Sequence, residues 1–204
     1  TITAVNTTGT IGVVAFDQLS QALTYTADGS ALDALRAGVT AIDTLTYTVS
    51  DAAGANASAT VTMTVTGIND APVAQNEAVS VLENASTGNL VFTMLANDSD
   101  VDTGDTRSIT AVSTAGTLGI VAFDVGTQSL TYAANHATLE ALRAGVTAID
   151  TFGYSVTDGS GASSTATVTL TITGVNDAPV AFVDGFAINE NATTANLTTA
   201  LLAN

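Results

Sequence analysis

A repeat of 107 residues is the strongest constraint on what this chain can fold into. Gly67–Ala74 (GINDAPVA) returns as Gly174–Ala181 (GVNDAPVA), and Ala34–Thr44 (ALRAGVTAIDT) returns unchanged as Ala141–Thr151. Residues 1–74 align with 108–181 without a gap, with 47 of 74 positions identical. A further copy opens after Ala181: Glu190-Asn191-Ala192 matches Glu83-Asn84-Ala85, and Leu202-Ala203-Asn204 matches Leu95-Ala96-Asn97. The chain therefore reads as three parts. Residues 1–72 are a first repeat without its N-terminal strands, 73–179 are a complete repeat, and 180–204 are the opening strands of another. One stretch, Asp98–Arg107 (DSDVDTGDTR), occurs only in the complete copy. A period this long gives each copy room for its own core, which excludes a β-helix built from much shorter turns.

Within a copy the segments are short and β-like. Thr60–Val65 and Thr167–Ile172 alternate Thr with apolar residues at period 2, the pattern of a strand with one buried face. Val79–Leu82, Leu90–Met94, Ile120–Phe123, Leu130–Tyr132 and Phe152–Val156 read as further strands, rich in the branched and aromatic residues that suit a pleated surface. Ser50–Gly54 and Asp158–Gly161 carry turn residues between strands. Ala31–Ala37 and Thr138–Ala144 place leucines at helical spacing ahead of Gly38 and Gly145, predicting one short helical turn per repeat. About seven short strands in 107 residues predicts an all-β fold, a tandem array of Ig-like β-sandwiches.

Charge narrows the partners. Nineteen acidic side chains face three arginines, for a net charge of −16. Such a surface repels phosphate backbones and anionic headgroups, which argues against nucleic acid, and no apolar run approaches the length needed for membrane insertion. With no cysteine, neither a disulfide nor a thiolate metal site is available. Any staple must be packing or a metal held by oxygen.

Three acidic groups stand out. Asp98, Asp100 and Asp102 alternate along one loop, followed by Gly104 and Asp105, a concentration of hard oxygens suited to Ca²⁺. The missing distal glutamate and the late glycine exclude an EF-hand. Asn69-Asp70 and its copy Asn176-Asp177 precede Ala-Pro, where proline stiffens the chain between two repeats. Glu83 and Glu190, taken alone, read as exposed charges at strand ends.

Together these segments, VSVLENASTGNL, LANDSD, YSVTDGSG and TITGVNDAPV, resemble the cadherin-like (VCBS-type) repeats of large bacterial surface adhesins, over nearly the whole chain. That resemblance implies calcium shared between neighbouring domains, one or two ions per junction. By likeness, Glu83 and Glu190 match the family's glutamate after the first strand, and Asp70 and Asp177 its joint aspartate. Asp98 and Asp100 match the DxD pair, Asp158 matches a late aspartate, and Asp43 or Asp150 stands in for an LDxE acid. The joint departs from the family by opening on Gly67 or Gly174 instead of aspartate, and by carrying Ala71 for asparagine.

Catalysis finds no support. His136 is the single histidine, its counterpart is Gly29, and no nucleophile elbow, P-loop or HExxH occurs. Sugar binding lacks the tryptophan platforms it prefers, and Tyr25, Tyr47, Tyr132 and Tyr154 recur at positions that read as core. The resemblance implies a non-enzymatic structural extender at a bacterial cell surface, its partners being neighbouring repeats. An alternative is an extracellular filament subunit, joined head to tail to identical subunits by strand donation from 182–204.

Overall fold

A computed structural model describes residues 1–203. The same order of elements runs twice. β1 (Ile2–Asn6), β2 (Val13–Asp17), β3 (Ala22–Thr26), α1 (Ser30–Asp33), β4 (Thr40–Ser50) and β5 (Asn56–Thr66) form the first unit. The second opens with β6 (Glu77–Leu82) and α2 (Val91–Asn97). It then repeats the series as β7 (Arg107–Ser113), β8 (Ile120–Asp124), β9 (Ser129–Ala133), α3 (Ala137–Glu140), β10 (Thr147–Asp158) and β11 (Ser163–Thr173). Its larger sheet has the order β6-β11-β10-β7, with β6 parallel to β11 and the other neighbours antiparallel. The β8-β9 hairpin forms the opposing layer. Residues 84–90 extend that layer along β9, through bonds such as Thr87 N–H to the Tyr132 carbonyl (2.8 Å) and Leu90 N–H to the Leu130 carbonyl (2.8 Å).

The alternating residues fill the space between the layers. Val168, Leu170 and Ile172 of β11 meet Phe152, Tyr154 and Val156 of β10, with Ile109, Leu130, Tyr132 and Leu139, in one buried core. Each large side chain so buried stabilises the fold by about 1.5–3 kcal/mol. The β-sandwich expected from the alternation is present, with six strands in the fuller unit where about seven were expected.

One strand assignment is corrected. Leu90–Met94 does not form a strand, because Val91–Asn97 is helical. Leu90, Val91 and Met94 are all buried while Phe92 faces solvent, a helical arrangement that a period-2 strand could not satisfy. The Asn89 carboxamide oxygen accepts from the Val91 amide (3.1 Å) and helps turn the chain into the helix.

The first unit has the sheet β1-β4-β5 and the hairpin β2-β3, and among the described residues no counterpart of β6 or α2 packs on it. Consequently Met63 and Val65 are only half-buried, whereas their counterparts Leu170 and Ile172 are fully buried. Among the described residues, 180–203 form no strand, and α4 (Thr198–Leu201) is their one regular element.

Candidate metal centre

The two units meet through a stitched joint. Gly67 exchanges backbone hydrogen bonds with the turn after α1, donating to the Val39 carbonyl (2.8 Å) and accepting from the Gly38 amide (3.0 Å). A Cβ at Gly67 would lie 2.2 Å from the Leu35 carbonyl oxygen, and one at Gly174 would lie 2.4 Å from that of Arg143. This close approach explains why glycine, and not aspartate, opens each joint. Beyond it, the Asp70 amide donates to Asp102 Oδ2 (2.9 Å), Val73 pairs with Ser99, and the Gln75 amide donates to Asp98 Oδ1 (2.7 Å). From the other side, the Thr103 amide donates to the Ala34 carbonyl (3.0 Å). A cleft of about 500 Å³ lined by Leu32, Leu35, Ile68, Asp70 and Val101 remains open beside these contacts, so packing alone does not seal the joint.

At this joint the carboxylates of Asp100, Asp105 and Asp158 converge, with one oxygen of each within 4.8 Å of the others. Two loops bring them there. In the 98–106 loop, Asp100 Oδ1 accepts from the Asp102 amide (3.0 Å), and the chain turns through Gly104 at φ 77°, a left-handed conformation that favours glycine. Asp105 Oδ1 then accepts from the Thr106 (2.7 Å) and Gly159 (3.2 Å) amides, tying this loop to the β10–β11 turn. In that turn Asp158 Oδ1 takes the Ser160, Gly161 and Ala162 amides, and its Oδ2 takes Asn69 Nδ2 at 2.8 Å from across the joint. The Asn69 hydrogen bond, helped by those amides against partial burial, holds the Asp158 carboxyl below the usual carboxylate range. It is ionised at neutral pH, as a ligand must be.

Several oxygens here are buried with no donor: Asn69 Oδ1, Asp98 Oδ2, Asp100 Oδ2 and Asp102 Oδ1. Asp98 and Asp102 are only 4% and 2% exposed. Buried carboxylates without donors are costly unless a cation compensates them. The donor set is entirely oxygen, mostly anionic, and numerous enough for a cation with six to eight ligands. It fits calcium.

The other expected residues are distributed differently. Glu83 is not an exposed strand-end charge: it is 2% exposed, its Oε1 accepts from the Val175 amide, and its Oε2 has no donor. It lies beside the second joint, where Asn176 Nδ2 bonds the Asp177 carbonyl (3.1 Å) and Asp177 is exposed. Glu190 is exposed in the terminal segment and is not brought to either acidic group. Asp43 and Asp150 are buried inside their own units, with both oxygens taken by protein donors. Asp150 accepts from the Leu118, Gly119 and Thr151 amides and from the Tyr132 hydroxyl (2.6 Å). Asp43 repeats the arrangement with Ile11, Gly12, Thr44 and Tyr25. Neither joins the cluster. Asp105, in contrast, enters it as a third carboxylate that the DxD likeness leaves out; Gly104 just ahead of it is the sequence sign of the turn that delivers it.

Behind Asp98, burial and the Asp98 charge raise the Tyr154 hydroxyl, which donates to the Gln75 carbonyl (2.6 Å). Glu77 is likewise pushed up, chiefly by burial, with Asp98 adding and Asn97 opposing. His136 is exposed and accepts the Thr138 amide at Nδ1 (3.2 Å), starting α3.

A sequence profile of the bacterial cadherin-like domain matches residues 69–174. The chain belongs to that family. The matched span runs from the first joint to Gly174 and so contains the acidic cluster. No curated protein matches the chain. Among solved structures, Drosophila N-cadherin EC1-4 aligns at 17% identity over 85% of this chain and 41% of its own, with a TM-score of 0.47. Mouse clustered PcdhgC3 EC1-3 aligns at 15% identity over 82% of this chain and 53% of its own, with a TM-score of 0.39. Mouse Cadherin-23 EC22-24 aligns at 15% identity over 79% and 49%, also with a TM-score of 0.39. The cadherin-like chain thus spans between two fifths and about half of these fragments.

Proposed function

We propose that the chain is a non-enzymatic structural extender of a secreted or bacterial surface adhesin, made rigid by calcium at the joint between units. The observation that carries this reading is the convergence of Asp100, Asp105 and Asp158 at the joint, with buried oxygens of Asn69 and Asp102 lacking donors beside them. Calcium bound there supplies positive charge that cancels the repulsion among the acids. Asp100, Asp105, Asp158 and Asp102 hold it from the second unit. Asn69 offers its carboxamide from the linker, so the ion ties the linker to both loops. Asp98 and Asp70 complete the acidic surround. Glu83 and Asp177, with Asn176, form half of an equivalent site at the second joint, to be completed by a following repeat.

Titrating calcium calorimetrically into chelator-treated protein, with small-angle scattering before and after, tests this. Binding with a narrower distribution of maximum dimensions is expected, reversed by EGTA. No binding at millimolar calcium, or binding that leaves the scattering unchanged, overturns it.

A further inference from the structure

The acids near the joint do not all serve one centre. Asp100, Asp105 and Asp158 converge, and Asp98 is not among them. Its contacts lie toward the body of the fuller unit instead. Asp98 Oδ1 accepts from the Gln75 amide (2.7 Å) and lies 3.3 Å from the Tyr154 hydroxyl, which itself donates to the Gln75 carbonyl (2.6 Å). Asp98 Oδ2 is buried with no donor, in a residue only 4% exposed.

Glu77 stands beside it. Val73 pairs with Ser99 and the Gln75 amide is bonded to Asp98, so the chain entering β6 runs along the 97–99 segment. The Asn97 side chain bonds the Glu77 carboxylate, and Asp98 is the charge that acts on it. Glu77 Oε1, like Asp98 Oδ2, is buried without a donor. The arginines are placed elsewhere. Arg36 reaches the Gly104 carbonyl (3.4 Å), Arg107 stands opposite Asp158 in the β7–β10 register, and Arg143 lines the cleft beside Asn176-Asp177. Two anionic oxygens are therefore held out of water in one place with no positive partner from the protein, a costly arrangement unless something positive joins them. Each carboxylate already takes a donor, the Asn97 side chain on Glu77 and the Gln75 amide on Asp98. Such donors favour the charged form, which argues for a cation over a proton shared between the two.

We propose that Glu77 and Asp98 hold a second hard cation, a divalent ion of the magnesium or calcium class, apart from the ion at the joint. Glu77 Oε1 and Asp98 Oδ2 are its anionic ligands, and water fills the remaining positions, as it does around hard cations held by one or two carboxylates. An ion here fastens the entry of β6 to the base of the loop that carries Asp100 and Asp105, so it sets that loop from behind. An acid also stands at the Glu77 position in the next copy, as Asp184. This site stands apart from the calcium reading of the joint, since none of the three converging carboxylates is its ligand.

Terbium(III) replaces such ions, and a tyrosine beside it sensitises its emission. Tyr154 touches Asp98, whereas Asp158 lies four residues farther along β10, about 13 Å away. Terbium titrated into the chelator-treated full chain, with tyrosine excitation, should give sensitised emission that excess calcium or magnesium removes. Tyr154→Phe should lose most of this emission while calorimetry still counts two bound ions. Glu77→Gln should lose the emission and one of the two ions. Asp105→Asn should lose the other ion and keep the emission. No sensitised emission at millimolar terbium, or Glu77→Gln that keeps both the emission and two ions, overturns the inference. So does Glu77→Gln that stabilises the chain equally in EGTA and in magnesium, the result of a shared proton. Failure of the joint site alone reads differently: Asp105→Asn then changes neither the ion count nor the emission, while Glu77→Gln still abolishes the emission.

Discussion

Replacing Asp150 with alanine removes one acceptor from four donors at once. The Leu118, Gly119 and Thr151 amides and the Tyr132 hydroxyl all point at a carboxylate that is 4% exposed. Alanine satisfies none of them, and an unsatisfied buried donor costs about 1–3 kcal/mol. Water entering the vacated space recovers part of this, so the expected loss is about 3–5 kcal/mol. Asp150→Asn keeps one acceptor but turns an amide group toward the donors, and should cost about half as much. Urea unfolding of the full chain should show a lower midpoint with an unchanged slope for the transition of the fuller unit. The pH dependence follows from the same contacts. Burial presses the Asp150 carboxyl upward, but the Gly119 amide, the Tyr132 hydroxyl and the Leu118 and Thr151 amides outweigh it and hold it low. A carboxyl held below its unfolded value, about 3.9, contributes stability above that pH and loses it as pH falls through the folded value. The gap between the parent and Asp150→Asn should therefore be full at pH 6 and shrink below about pH 4. A cost under about 1 kcal/mol for Asp150→Ala, or a gap that widens with acid, would refute the reasoning.

Asp100→Ala should abolish most of the rise in melting temperature caused by calcium, whereas Asp28→Ala, at an exposed residue outside the cluster, should leave it intact; calorimetric scans with and without EGTA compare them. Gly67→Ala forces a Cβ against the Leu35 carbonyl and should loosen the joint, seen as a larger maximum dimension by scattering even in saturating calcium, with the unfolding of the second unit unchanged. Tyr154→Phe removes the hydroxyl that donates to the Gln75 carbonyl and should cost about 1 kcal/mol by urea unfolding.

The fold was legible where the signal was periodic. Thr167–Ile172 and Thr60–Val65 announce strands because their side chains alternate between core and solvent, and the 107-residue offset ties each such segment to a twin. Leu90–Met94 misled because a five-residue segment with four apolar side chains carries no clear period of its own; the spacing of Leu90, Val91 and Met94 becomes decisive once Asn89 is seen to start a helix. The acidic loop was legible as a concentration of carboxylate oxygens, but not which of them converge: the alternation points to Asp98, Asp100 and Asp102, whereas Asp100, Asp105 and Asp158 come together. Asp43 and Asp150 look like ligand acids in sequence and prove to be internal acceptors, because nothing local reveals that the Gly12 and Gly119 amides, just ahead of β2 and β8, and the tyrosine hydroxyls of β3 and β9 converge on them. Glu83 looked exposed because its burial depends on Val175, 92 positions away.

The parallel pairing of β6 with β11 has a mechanical consequence. The chain enters the fuller unit at β6 and leaves it by β11. The six register pairs from Val168 with Glu77 to Thr173 with Leu82 therefore lie along the line of any tension carried through the unit. Pulling the ends apart slides the two strands past each other, so the hydrogen bonds across them are strained together. An antiparallel pair of terminal strands would instead peel open one bond at a time. Resistance to stretching in this unit is accordingly set by these bonds acting at once, and it is greatest along the line joining the start of β6 to the end of β11.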